Sequence, residues 1–292
     1  MNKKRIFALG FFDGVHLGHQ ALLQVCCKLA AETGCQPAAI TFLRHPQSLF
    51  TTTPPALINS DEDRERLLRH YGISAIYKFP VTEEVMSTSW GDFLGELLEY
   101  GAAGFVCGDD FRFGHKGEGN AQKLAQYCRE RDLRCAIVPE QTVDGIRVSS
   151  THIRSLIEQG DVRQAEKFLG HPHILSGKVI SGQRLGRRLG MPTANLQLPE
   201  GVVCPRFGVY ACNAHLDGHI YPAATNIGVR PTVSGTGITV EPWLLDFSGD
   251  LYGKSITLTF HKFLREERKF DSLEELKAQI QIDAAETYRL LK

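Results

Sequence analysis

Ile6-Phe7-Ala8-Leu9-Gly10-Phe11-Phe12-Asp13-Gly14-Val15-His16-Leu17-Gly18-His19-Gln20 is the stretch on which the reading of this chain turns. Its first four residues form an apolar run of strand length, and beyond it Leu22, Val25, Cys26 and Leu29 recur at the spacing of one helical face. The stretch therefore predicts a strand, a sharp turn and a helix. Such a turn gathers unpaired backbone N–H groups and the positive end of a helix dipole at one point, where a phosphate is stabilised. Its glycines let the backbone turn tightly and approach a ligand. His16 and His19, three residues apart, can face one bound anion. The stretch lacks the Lys-Ser/Thr ending of a P-loop and the spacing of GxGxxG. A histidine pair could also hold a metal, but no third Cys, His or carboxylate follows at ligand spacing.

Outward from this turn, apolar strands and amphipathic helices alternate. Residues 37–42, 73–79, 104–107 and 133–138 read as strands, and 61–70, 90–98 and 121–131 as helices. The alternation predicts a mainly parallel sheet covered by helices, with ligands at the carboxyl ends of its strands. Three polar stretches fall there: Thr41-Phe42-Leu43-Arg44-His45-Pro46, the glycine-rich loop from Gly108 to Gly119, and Ser149-Ser150-Thr151-His152-Ile153-Arg154. The loop could be a plain surface connector, but Phe111 and Phe113 beside Asp109 suit a flat ring ligand. The hydroxyls at 149–151 are ordinary helix caps that can also donate to a phosphate, with Arg154 adding fixed charge.

Near Gly170-His171-Pro172-His173 the pattern changes to short strands separated by turns such as Asp217-Gly218, which predicts a small antiparallel barrel. A last helix presents Leu273, Leu276, Ile280, Ala284, Tyr288 and Leu291 as an inner stripe, capped by Asp271 or Ser272. Two domains follow, residues 1–170 and 171–292. Within the second, a basic glycine-rich loop runs into Pro192-Thr193-Ala194-Asn195, whose neutral oxygens suit Mg²⁺ alongside a nucleotide.

Composition narrows the function classes. The 292 residues carry 33 basic and 33 acidic side chains, which argues against a nucleic-acid or membrane-surface binder. No apolar run reaches the ~20 residues of a membrane span. The eight cysteines (26, 27, 35, 107, 128, 135, 204 and 212) form no CxxC pair and read as reduced thiols of a cytoplasmic protein.

The first-half strings FFDGVHLGHQ, TFLRHP, GDDFRFGHKGEG and SSTHIR resemble, in order, the FAD synthetase (FMN adenylyltransferase) branch of the nucleotidyltransferase superfamily. Ser176–Asn195, Gly208–Ala211, Asn226–Thr232, Leu244–Gly253, Phe263-Leu264-Arg265 and Lys269-Phe270 resemble the riboflavin kinase domain. Over nearly its whole length the chain is thus similar to the bacterial bifunctional riboflavin kinase/FAD synthetase family. The resemblance implies a Rossmann-like nucleotidyltransferase domain followed by a small β-barrel with a C-terminal helix. It implies phosphorylation of riboflavin to FMN, then attack of the FMN phosphate on the α-phosphorus of ATP to give FAD and pyrophosphate.

It also implies roles for individual residues. His16, His19 and Arg154 would act in adenylyl transfer, with Gly10, Phe12, Asp13, Ser149, Ser150 and Thr151 around the ATP. Gly177, Lys178, Gly182, Arg184, Gly186, Thr193 and Asn195 would hold the kinase's ATP, the last two also Mg²⁺. Asp109, Phe111, Phe113, Tyr252 and Arg265 would contact flavin, and Glu241 would be the base for the ribityl hydroxyl. FMN and FAD would be substrate and product rather than prosthetic groups. No nucleic-acid or membrane partner is implied, and an oligomer is compatible. One departure stands out: the family commonly has His two residues after the glutamate, where this chain has Trp243. Pro242 between them predicts an edge strand or a bulge. Three other readings remain: a different adenylyl acceptor such as phosphopantetheine, one live domain beside a decayed kinase, and a non-catalytic flavin-binding regulator.

Overall fold

The alternation in the first half folds as a five-stranded parallel sheet in the order β3-β2-β1-β4-β7. The structure is a computed structural model that describes residues 3–180, 191–232 and 235–292. In chain order the first elements are β1 (Arg5–Leu9), α1 (Leu17–Thr33), β2 (Gln36–Phe42), α2 (Asp61–His70) and β3 (Ala75–Phe79). There follow α3 (Glu83–Ser87), α4 (Trp90–Glu99), β4 (Ala102–Gly108), β5 (Arg112–Phe113), β6 (Gly119–Asn120), α5 (Ala121–Glu130) and β7 (Arg134–Val138). A short hairpin, β8 (Thr142–Val143) and β9 (Ile146–Arg147), precedes α6 (Ser150–Glu158). Strand β1 lies at the centre, and Ile6, Phe7, Ala8 and Leu9 are all buried. A strand covered on both faces reads as a continuous apolar run rather than an alternation. The chain builds outward from β1 through β2 and β3, then returns to place β4 on the other side of β1. The carboxyl ends of β1 and β4 are therefore the topological switch point, where such sheets bind ligands.

The second half closes into a barrel in the order β10-β11-β14-β13-β12-β15. Its strands are β10 (His173–Ile180), β11 (Asn195–Gln197), β12 (Gly208–Leu216), β13 (His219–Thr232), β14 (Gly235–Leu244) and β15 (Ser255–Arg265). Asp217 and Gly218, with φ of 50° and 81°, make the turn between β12 and β13; positive φ at both positions matches the right-handed strand twist. The three-residue strand β11 carries no alternation that sequence could register, yet it bridges β10 and β14.

By contacts, one compact unit comprises 1–57 and 64–150, the other 58–63 and 151–292. Helix α7 (Val162–Leu169) packs on β10 and β15, and Val162 belongs to the barrel core. An amphipathic helix looks the same in sequence whichever core it covers. Pro242 lies on no bulge, since β14 is paired with β13 in unbroken register, while the strand pairing with β11 on its other side is at Val240. Its missing N–H costs little because the β11 ladder ends there, with Ala194 N–H donating to Pro242 O at 2.9 Å. One expectation is corrected: the C-terminal helix α8 (Leu273–Leu291) buries Asp283, Ala284 and Thr287 and leaves Leu273 exposed. Ser272 is its cap, accepting from Glu275 N at 3.2 Å.

Candidate functional site

After β1 the backbone enters a strained turn. Phe12 and Val15 have φ of 60° and 41°, a region costly for any residue with a Cβ and most of all for a β-branched one. Side chains from elsewhere in the same unit hold alternate carbonyls of this turn. Thr41 Oγ1 and Arg64 Nη1 donate to Phe11 O at 2.8 and 3.4 Å, Ser150 Oγ to Asp13 O at 2.9 Å, and Gln20 Nε2 to Val15 O at 2.9 Å. Arg64 also donates to Phe42 O at 2.7 Å and lies 4.7 Å from the centroid of the Phe11 ring.

The clamped turn delivers His16 to the N-cap of α1, where its Nδ1 accepts from His19 N at 3.3 Å. The two imidazoles stack, with centroids 3.6 Å apart and planes at 13°. A Cβ on Gly18 would stand 3.3 Å from the His16 ring, so the glycine between the histidines makes room for the stack. Burial, and secondarily His16, hold the His19 pKa well below the ordinary histidine value; the ring is neutral. Its Nδ1 is buried and has no hydrogen-bond partner among the described residues. An orphaned nitrogen of this kind calls for a ligand or a water.

The stack forms one wall of a cavity of about 290 Å³ at the switch point, near the lower end of ligand pockets (~300–1,000 Å³). Gly10, Phe11, His16 and His19 line one side, and Asp109, Asp110, Phe111, Arg147, Ser149 and Ser150 the other. Phe12 and Asp13 are buried and lie outside this lining; the edge of the Phe12 ring meets His19. Phe113 is buried in the core, stacked 5.6 Å from Phe111. Thr151 and Arg154 fall in the second unit, where Arg154 Nη2 donates to Thr151 Oγ1 at 3.1 Å. The lining holds a residue the motifs did not include: Arg147, its only Lys or Arg among the described residues, ion-paired with Asp110 and, at 2.7 Å, with Glu140. Its one signal in the sequence is a basic residue just before the serine pair.

In the second unit, barrel closure gathers the residues of the kinase motif. Leu196 pairs with Val240, Ala194 N–H binds Pro242 O, and Asn226 pairs with Glu241. This register places Asn195 on one flank of Glu241 and Asn226 on the other. Thr193 and Asn195, two apart in an extended segment, share a face. Among the described residues no group of three or more His, Cys, Asp or Glu could hold a metal. A neutral Thr–Asn pair fits a Mg²⁺ that keeps most of its ligands as water and phosphate.

Gly177 has a packing reason of its own, because a Cβ there would stand 2.6 Å from Gln197 O across the β10–β11 contact. Lys178 sits in register between Gln197 and Ser255. Gly182, Arg184 and Gly186 lie outside the described residues. Tyr252 is exposed. Arg265 turns its guanidinium to α8, donating to the Asp283 carboxylate from Nε and Nη2 at 3.0 and 2.7 Å and to Glu266 O from Nη1 at 2.9 Å.

Comparison with known proteins gives a concordant picture. A family model described as FAD synthetase matches residues 1–152, and one described as riboflavin kinase matches 169–291. A bifunctional riboflavin kinase/FMN adenylyltransferase of Pseudomonas fluorescens is 37% identical over 96% of this chain and 91% of its own length. One from Listeria monocytogenes is 33% identical over 97% and 91%. A crystal structure from Streptococcus pneumoniae, described as a macrolide-efflux protein, superposes with a TM-score of 0.89 at 30% identity over 99% of this chain and 95% of that one. Among the described residues here no helix is long and apolar enough to cross a membrane.

Proposed function

Given that the chain belongs to the bifunctional riboflavin kinase/FMN adenylyltransferase family and carries both activities, we propose how its residues divide the work. FAD synthesis belongs to the N-terminal segment, residues 1–170, and riboflavin phosphorylation to residues 171–292. In the first, an FMN phosphate oxygen attacks the α-phosphorus of ATP and the bond to pyrophosphate breaks. This chemistry needs aligned reactants and neutralised charge rather than a protein nucleophile. His16 and His19 donate N–H groups to the ATP phosphates, Ser149 adds a hydroxyl, and Asp109 and Phe111 face the flavin. The observation that carries this reading is the stacked His16–His19 pair lining the switch-point cavity.

In the second step's partner site, Glu241 accepts the proton of the ribityl hydroxyl as it attacks the γ-phosphate of ATP. Thr193 and Asn195 hold Mg²⁺, which when bound neutralises phosphate charge. The protein works in the cytoplasm on free riboflavin, FMN and ATP.

A chromatographic time course with riboflavin, ATP and Mg²⁺ tests the division. FMN should rise and give way to FAD. His19→Ala should abolish FAD formation and spare FMN formation, and Glu241→Gln should do the reverse. Equal loss of both reactions in either folded variant would overturn the two-site assignment.

A further inference from the structure

Asn226 stands directly opposite Glu241 across the β13–β14 ladder. Thr225 and Ile227 are fully buried, so Asn226 and Gly228 fall on the outer face of β13, the face that Glu241 shares. Opposed side chains in such a pair have Cβ atoms about 4.5–5.5 Å apart. Asn226 Nδ2 donates to Glu267 Oε1 at 3.0 Å. A Cβ on Gly228 would collide with the same carboxylate, so the glycine leaves the space that Glu267 fills.

The chain on either side of Glu267 is pinned. Arg265 is held by Asp283 of α8 and donates from Nη1 to Glu266 O at 2.9 Å. The Glu266 carboxylate pairs with Arg206, and Arg268 Nη2 donates to Gln279 Oε1 of α8 at 2.6 Å. With its neighbours tied down, Glu267 gives up little further chain freedom when it rests against β13. An ionised carboxylate only accepts hydrogen bonds, whereas an amide has a donating and an accepting side. Glu267 therefore selects one flip of the Asn226 amide, with Nδ2 turned toward it and Oδ1 turned away.

We infer that Asn226 recognises the ribityl hydroxyl next to the one that reacts, and that Glu267 is the positioning residue that keeps Asn226 in its accepting orientation. The inference deepens the kinase assignment above and rests on it. Glu241 and Asn226 Oδ1 are two acceptors on opposed residues. They match two hydroxyls on adjacent carbons, each with one proton to donate. Glu241 takes its proton away, and Asn226 leaves its hydroxyl intact and fixes the end of the ribityl chain. A flavin without the second hydroxyl leaves Oδ1 unpaired in the complex, and an unpaired polar group of the site is what rejects such an analogue.

The test compares riboflavin with an analogue that carries hydrogen in place of that second hydroxyl. Phosphorylation by the full chain is measured as kcat/KM, and binding separately by flavin fluorescence in the presence of ADP and Mg²⁺. The unsubstituted chain should prefer riboflavin about tenfold in both readouts, the scale of one hydrogen bond lost with its partner left behind. Asn226→Ala should take the two flavins alike. Glu267→Gln frees the amide flip, and Gly228→Ala evicts the carboxylate without altering either partner; each should cut the preference to about threefold. FAD formation from supplied FMN reports that these variants are folded. A tenfold preference retained in Asn226→Ala would overturn the recognition, because a merely structural loss lowers both flavins together. An unchanged preference in folded Glu267→Gln would overturn the positioning role. No preference in the unsubstituted chain would overturn both. If that chain binds riboflavin with the preference and forms no FMN, the failure lies with the kinase assignment, and the binding readout still decides the role of Asn226.

Discussion

His16 lies flat on His19, with ring centroids 3.6 Å apart, and at that separation a charge on one imidazole excludes a charge on the other. Burial is the larger cause of the depressed His19 pKa and His16 the smaller. Nitrogen-15 NMR of labelled histidine should therefore show His19 neutral from pH 8 down through the ordinary histidine range. His16→Phe keeps the stack and removes the charge. It should raise the His19 midpoint but leave it below about 6.5. A His19 that titrates normally in the unsubstituted protein would contradict the buried stack.

Arg64 is a charged side chain at 1% exposure, and its donors meet the carbonyls of Phe11 and Phe42, where β1 and β2 run out. Its expected role is positioning: it holds the turn that carries the histidine pair. Arg64→Met should cost about 2–4 kcal/mol in urea unfolding and lower FAD formation through kcat more than through KM. Arg64→Lys keeps the charge and one donor and should recover part of the kcat loss, which a purely structural defect in the core would not predict. FMN formation serves as the internal control.

His173, at the start of β10, is fully buried with both ring nitrogens unpartnered among the described residues, against the Phe260 ring at 5.4 Å. Burial pushes its pKa down to about 3. Below the unfolded value of about 6.5 the unfolded chain binds a proton that the folded chain refuses. The stability His173 allows is therefore complete above about pH 6.5 and falls as pH drops toward 3. His173→Leu should flatten the acid limb of the unfolding profile of the barrel, measured by circular dichroism between pH 7 and 4. An unchanged acid limb would show that His173 is not the group that titrates.

Arg265 and Asp283 join β15 to α8 through a two-pronged ion pair in which Asp283 is buried. Asp283→Ala would remove the carboxylate that accepts from Arg265 Nε and Nη2 and should destabilise the barrel by about 2–4 kcal/mol. If Arg265 serves flavin binding through its placement by α8, Asp283→Ala should also raise the KM for riboflavin, with FAD formation from supplied FMN unaffected. A stability loss with an unchanged KM would confine the pair to a structural role.

The sequence by itself determined the local pieces. The run Ile6–Leu9, the glycines of the turn and the helical spacing from Leu22 to Leu29 each register backbone geometry and one buried face, which short-range periodicity records. The alternation of elements gave the parallel sheet, and Asp217-Gly218 gave a barrel hairpin. Tertiary structure decided what meets what. Arg64, Thr41 and Ser150 grip the motif's carbonyls from distant positions, and Arg147 reaches the cavity from outside any motif. The short strand β11 sets Asn195 beside Glu241 only because the barrel closes, and Asp283 interrupts the apolar stripe of α8 to meet Arg265. Periodicity records that a residue faces inward. It does not record the partner, because the partner is fixed by packing and long-range register, which bring together groups that lie far apart along the chain.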